Sequence, residues 1–477
     1  MQRRTFLRGT AAGAALAAAP VGGLLTATAT AAPATVGSLD ELRAAIDRAR
    51  PGDRIVVADG TYTVPTGRPL AVRNKRGTAH APITVTAQTR GGVVLDGEQS
   101  FVFEASRHIT LSGFSFRQSS TLDIPPDCAH IRLTRNDFQL ADIEGLHWLM
   151  VRADDSKVDH NHFHGKSTLG IYLGIEGAGE SGMAQRVHVY RNYFSDHTFT
   201  GSNGGEPIRL GVSPRALSSA HAVVEYNLFE RCNGDPEAIS VKSSDNTIRC
   251  NTIRDSFGGI VLRHGNRTRV EANHLVAGTE GVRIYGNDHV VVNNYLAGLS
   301  GRALVIGSGS ERDHVPGETP EARRGNDAAD RVLIAYNTLV NNQGTLSGES
   351  QRPHEPRDVT VADNLLVADT GQLVAMANTV RFTWSGNLLW GAAADGNIPA
   401  GGGTRTDPKL VAGPDGILRP AADSPAIDAG TLRWPPVTHD IDGQPRGRFR
   451  DVGADEYSRR PSRRRPLTPA DVGPQAV

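Results

Sequence analysis

Short apolar runs recur along the middle of the chain. Gly170-Ile171-Tyr172-Leu173-Gly174, Pro207-Ile208-Arg209-Leu210-Gly211, Ala238-Ile239-Ser240-Val241-Lys242, Gly259-Ile260-Val261-Leu262-Arg263 and Gly281-Val282-Arg283-Ile284-Tyr285 share one pattern, which Leu304 and Ile306 continue. In each copy two apolar residues stand two apart, which puts both on one face of a strand, and the next residue points the other way. That outward column reads Gly174, Gly211, Lys242, Arg263, Tyr285, Gly307. Stacked as parallel strands about 4.8 Å apart, the copies predict a groove with an amine and a guanidinium side by side and glycines clearing room around them.

A second repeat predicts the stacking itself. Asparagine, any residue, then an apolar residue recurs at Asn136, Asn161, Asn192, Asn227, Asn251, Asn273, Asn294, Asn337, Asn364 and Asn387, with closest spacings of 21 to 27 residues. Such a period, with short β-rich segments and no long helical pattern, predicts an all-β solenoid, most simply a right-handed parallel β-helix whose inward asparagines stack at the turns. The 43-residue gap before Asn337 fits two coils, or one coil plus the polar stretch 311–330.

A solenoid needs capped ends, because a bare terminal coil exposes apolar side chains and a strand edge. Ser38-Leu39-Asp40-Glu41 has capping-box spacing, Leu42, Ala45, Ile46 and Ala49 share one helical face, and Pro51-Gly52 stops the run, so residues 38–50 are predicted to plug the N-terminal end. Beyond Asn387 the repeat weakens into a turn-rich segment, containing Ser424 to Asp428 and Asp440 to Gly443, that is expected to cover the other end. The predicted organisation is an export signal at 1–31, one catalytic β-helix with its C-terminal cap at 32–457, and a basic, disordered tail at 458–477.

Composition agrees with one long solenoid. Aromatic residues make up 5% of the chain while glycine contributes 53 residues, which suits turn-rich stacks of short strands. Arg3-Arg4-Thr5-Phe6-Leu7-Arg8, an alanine-rich apolar stretch and the small residues Ala29-Thr30-Ala31 resemble a cleavable twin-arginine signal. They predict a secreted protein, extracellular or periplasmic, with no membrane anchor in its mature form. The chain is formally neutral, so loss of Arg3, Arg4 and Arg8 leaves it mildly acidic, and nucleic acid is not an expected partner. Cys128, Cys232 and Cys250 cannot all pair within one chain, and three buried thiols are expected.

Two carboxylates precede Lys242: Asp235 and Glu237, two apart and so on one side of an extended backbone. Aligning Glu206-Pro207-Ile208 with Glu237-Ala238-Ile239 brings Asn203 and Glu206 of the preceding coil beside them, if 213–221 is a polar insertion. Hard oxygen donors at this density suit Ca²⁺ better than zinc. Equally open from spacing is that Asp235 and Glu237 solvate the turn or neutralise Lys242 and Arg263.

The runs Asn203 to Gly211, Asp235 to Ser243 and Arg263-His264-Gly265, in this order and separation, resemble polysaccharide lyase family 6, which holds alginate lyases and the dermatan-cleaving chondroitinase B type on a parallel β-helix. The resemblance is sharp over about residues 200–295 and diffuse over the remaining coils. It implies that Lys242 is the catalytic base, Arg263 the catalytic acid, and Asn203, Asp235 and Glu237 the calcium ligands. One departure concerns calcium: where glutamate is the more familiar first acidic ligand, this chain has the shorter Asp235 followed by the restricting Pro236.

The implied reaction is β-elimination from an anionic polysaccharide, alginate before dermatan sulfate. A uronate C5 proton is removable only if the adjacent carboxylate is neutralised, as a bound Ca²⁺ would do. Arg263 would hold the leaving C4 oxygen, directly or through a water proton, since a guanidinium is a reluctant donor. Arg209 and Arg283, outward two residues before the column, are candidate binders of neighbouring sugar carboxylates, Tyr285 of a sugar ring, and His264 of substrate or of the turn. His160, His162 and His164 alternate, but with no fourth ligand in view they read as a surface strand. A hydrolase would need two carboxylates flanking the bond, where this column offers lysine and arginine. An epimerase would return the C5 proton without cutting the chain. A non-catalytic glycan-binding solenoid would have no use for the paired cations.

Overall fold

The computed structural model describes residues 35–201, 203–431 and 437–477, and the predicted export signal at 1–31 lies outside them. Among the described residues, short strands stack into three long parallel sheets, two of fourteen strands and one of eleven. Successive coils place one strand in each, as Val223–Glu225, Leu228–Cys232 and Glu237–Lys242 do before Thr247–Arg249 begins the next turn. The chain is therefore a parallel β-helix.

The interior shows why the asparagine repeat exists. Each of Asn136, Asn161, Asn192, Asn227, Asn251, Asn273, Asn294, Asn337 and Asn364 donates its side-chain amide to the next asparagine's Oδ1 at 3.0 Å, ending at Asn387. The same Oδ1 atoms accept backbone N–H groups at the turn, so amides buried by the fold find partners in the neighbouring coil. Asn294 bonds Asn337 directly, so the 43-residue gap is one coil carrying an insertion, with a short helix at Pro320–Arg324. Beside the ladder, Phe116, Phe138, Phe163, Phe194 and Phe229 stack with ring centroids 4.5 to 5.0 Å apart.

The N-terminal plug forms as predicted. Helix Leu39–Arg48 starts at Ser38, whose Oγ accepts the Glu41 N–H at 3.2 Å, and it buries Leu42 and Ile46 in the core.

The C-terminal expectations are corrected. The turn-rich segment lies along the outer side of the solenoid, where Ala454 N–H donates to Thr338 Oγ1 and Val452 and Ala426 pack on Leu365 and Leu388. Residues 458–477 are not disordered but continue as a strap. Leu467 and Val472 are buried against Leu228, Leu467 N–H donates to Thr252 Oγ1 at 2.8 Å, and the Arg135 guanidinium donates to the Ala476 carbonyl at 2.6 Å. A few apolar anchors and backbone bonds outweigh the disorder that an arginine-rich composition suggests. All three cysteines are buried and unpaired.

Candidate active site

The eleven-stranded sheet carries the site on its outer face. Ile208 and Leu210, Ile239 and Val241, Ile260 and Leu262, Val282 and Ile284 point inward and are fully buried. Their alternates Arg209, Ser240, Val261 and Arg283 form one register row facing out. The next row departs from the prediction. Val241 pairs with Leu262, but Lys242 pairs with His264, so a bulge makes Arg263 the extra residue. Lys242 and Arg263 stand on adjacent strands, though not directly opposite one another.

Each cation has its own buried carboxylate. Lys242 Nζ lies 3.2 Å from Glu206 Oε1, and Arg263 Nη1 donates to Glu237 Oε1 at 2.9 Å. Arg283 Nη2 lies 3.6 Å from the same Glu237 oxygen, while Ser240 Oγ donates to Glu237 Oε2. Burial would lower the pKa of Arg263, but the charge and hydrogen bond of Glu237 outweigh it and hold the guanidinium above its ordinary value. The neutralising role left open for Glu237 is thus real, and Glu206 performs it for Lys242.

Among the described residues Asp235 has no such cation. Its Oδ2 accepts the Gly204 N–H at 2.8 Å and its Oδ1 the Glu237 N–H at 3.0 Å. Burial, then the charges of Glu206 and Glu237, push its carboxyl up to about 7. Glu206 Oε2 is buried without a hydrogen-bond partner. An unpartnered carboxylate oxygen beside a carboxyl that resists ionising marks a place short of positive charge, and the donors are hard oxygens, so the residues fit Ca²⁺. Asn203 is exposed next to Gly204 at the rim of this cluster. Asp235, Glu206 and Glu237 do not draw together as tightly as a closed metal cluster, because Glu237 and Glu206 are turned toward the cations.

The flanking residues divide. Arg209 faces out, with Nη2 3.5 Å from His147 Nε2 and 3.9 Å from Glu176 Oε1, and burial followed by the Arg209 charge lowers the His147 pKa. Arg283 also faces the groove. His264 takes the turn-bonding alternative and not the substrate contact, and the sugar contact expected of Tyr285 is corrected. His264 is buried, and its Nε2 bonds Ser213 Oγ at 3.1 Å, fastening the 213–221 insertion. Tyr285 is buried too: its hydroxyl donates to Glu349 at 2.8 Å and the Arg352 guanidinium covers its ring, so no sugar can stack on that face. Sequence reading missed His147, Glu349 and Arg352, which come from distant coils, and it placed Glu206 beside the site without its pairing to Lys242.

The arrangement can accept a proton at Lys242 and stabilise a developing oxyanion at Arg263, with Arg209 and Arg283 on the same face for anionic sugar units. The Chondroitinase B family model matches residues 36–383. Among solved structures, the family 6 alginate lyase AlyGC superposes with a TM-score of 0.73 at 27% identity over 90% of this chain and 59% of its own. A mannuronic acid specific family 6 lyase from human gut microbiota gives 0.69 at 24% identity, covering 78% of this chain and 90% of that one. A family 6 alginate lyase in complex with a trisaccharide gives 0.65 at 21% identity, covering 82% and 91%. No curated protein matches. These findings place the chain among the β-helical polysaccharide lyases. Within that class it belongs to polysaccharide lyase family 6, the chondroitinase B family. It spans about three-fifths of the length of AlyGC.

Proposed function

We propose that this protein is a secreted lyase that cleaves a uronate-containing polysaccharide, alginate in the first instance, by β-elimination. The observation that carries the reading is the pair of outward cations on adjacent strands, each tied to its own buried carboxylate: Lys242 to Glu206 and Arg263 to Glu237. The amine form of Lys242 takes the C5 proton, and Glu206 holds the ammonium that results. The electrons left at C5 form the C4–C5 double bond as the C4–O bond breaks. Arg263, kept charged by Glu237, stabilises the departing oxygen, which takes its proton from water. Arg209 and Arg283 bind carboxylates of neighbouring sugars. Asn203, Asp235 and Glu237, with Glu206, are the residues that would hold Ca²⁺, whose chemistry is to neutralise the substrate carboxylate. The twin-arginine-like leader supports export.

Dermatan sulfate is the second reading, because the matching family model is that of chondroitinase B. The deciding experiment incubates mature protein with polymannuronate, polyguluronate and dermatan sulfate, with and without chelator, and follows the ultraviolet absorbance of the conjugated unsaturated uronate. A rise on an alginate block supports the leading assignment, and a rise on dermatan sulfate alone replaces it with the second. No rise on any polymer overturns both. Loss of the rise in chelator, restored by calcium, supports the ion.

A further inference from the structure

The histidine strand set aside in the sequence gains a ligand from its neighbour. Strand His162–Lys166 lies on the third sheet, away from the strands that carry Lys242 and Arg263, with Phe163 in the core and His162 and His164 on the outer face. Asp137 of the adjacent strand is in direct register with His162. One atom each from Asp137, His162 and His164 lie within 4.8 Å of one another, the only such group of histidine, cysteine and acidic side chains among the described residues. His164 Nε2 is 3.0 Å and His162 Nδ1 3.7 Å from Asp137 Oδ1.

We propose that Asp137, His162 and His164 form a binding site for a borderline divalent transition ion, with Zn²⁺ the representative, that ties two neighbouring coils together outside the catalytic groove. Two histidines two apart on a strand present both rings to one side, and two imidazoles with one carboxylate suit zinc and not calcium. The surroundings already orient the ligands. His162 Nε2 bonds Ser195 Oγ at 3.0 Å and Nδ1 faces Asp137, so the tautomer with hydrogen on Nε2 would offer the Nδ1 lone pair to the ion, and Tyr193 stacks on the His162 ring at 4.5 Å. Arg117 engages Asp137 through Oδ2, so Oδ1 stays directed at the two histidines. Zinc binding would displace the proton that now bridges His164 and Asp137, and three protein ligands leave a position for water. His160 takes no part, since it bonds Asp159 at 2.9 Å.

The test is calorimetric titration of Zn²⁺ into mature protein held in saturating calcium, which occupies the catalytic carboxylates. One equivalent is expected to bind, with affinity falling at least about tenfold in His164→Ala and in Asp137→Asn. Zinc should also raise the thermal midpoint of the wild type and of neither variant. Because a variant can fail for structural reasons, Co²⁺ added to the wild type supplies a second reading: a visible spectrum of low-coordinate nitrogen and oxygen ligation is expected. No zinc binding by the wild type, equal binding by both variants, or a Co²⁺ spectrum no different from the aqueous ion would overturn the site.

Discussion

Asp235→Asn separates a cation site from ordinary surface polarity. Asp235 is 2% exposed, and its carboxyl is pushed from 3.8 to about 7 by burial and by Glu206 and Glu237. Below the ordinary carboxylate range folded and unfolded chains both hold the proton, and the contribution to stability is fully present. As pH rises from about 4 to about 7 the unfolded chain ionises while the fold still holds the proton, and the cation-free fold loses ~4 kcal/mol at about 1.4 kcal/mol per pH unit. Asparagine carries no charge to bury, but its amide cannot accept both the Gly204 and the Glu237 N–H bonds, which costs ~1–2 kcal/mol. In chelator the variant should therefore be more stable than the wild type by ~2–3 kcal/mol near pH 8, and less stable by ~1 kcal/mol near pH 4, the two being about equal near pH 5. Urea unfolding at the highest and lowest of these pH values measures both differences. Added calcium should stabilise the wild type at the higher pH and leave the variant unchanged. The reasoning is refuted if the variant is destabilised equally at both pH values, because Asp235 would then be an ordinary ionised carboxylate held by two amides.

Three further outcomes follow from other parts of the molecule. Asn251→Ala removes four hydrogen bonds and leaves the buried Asn227 N–H without its partner, so chemical denaturation should show a loss of ~3–5 kcal/mol. Arg283→Ala, which removes a groove-facing guanidinium, should raise KM about tenfold with little change in kcat in steady-state assays. Truncation after residue 457 removes the buried Leu467 and Val472 and should lower stability by ~3 kcal/mol in a melting experiment, whereas a disordered tail would be removed without effect.

Legibility in the sequence followed how tightly a residue's place is fixed. The asparagine ladder could be read because each amide must meet its neighbour in the next coil, which enforces a period visible without coordinates. Register at the site was readable only as far as the apolar pairs reach. Ile239 with Val241 and Ile260 with Leu262 pin the strands, but the residues that follow are polar, and nothing in the pattern shows the bulge that sets Lys242 opposite His264. Tyr285 looked exposed because its covering partners, Glu349 and Arg352, lie 64 and 67 residues further along the chain. Asp137 was likewise invisible beside His162 until the register joined them across 25 residues. The strap at 458–477 was misread because composition reports its arginines and not the few apolar residues that anchor it.

The measurement that bears most directly on the central claim compares wild type with Lys242→Ala on the polymer that the wild type cleaves, following unsaturated uronate formation. Among the described residues Lys242 has a single ion-pair partner, Glu206, and it sits partly exposed on the outer face, so the variant is expected to fold and to bind the polymer. The account predicts a rate loss of about a thousandfold or more, with binding retained. Elimination persisting in Lys242→Ala at close to the wild-type rate would contradict it.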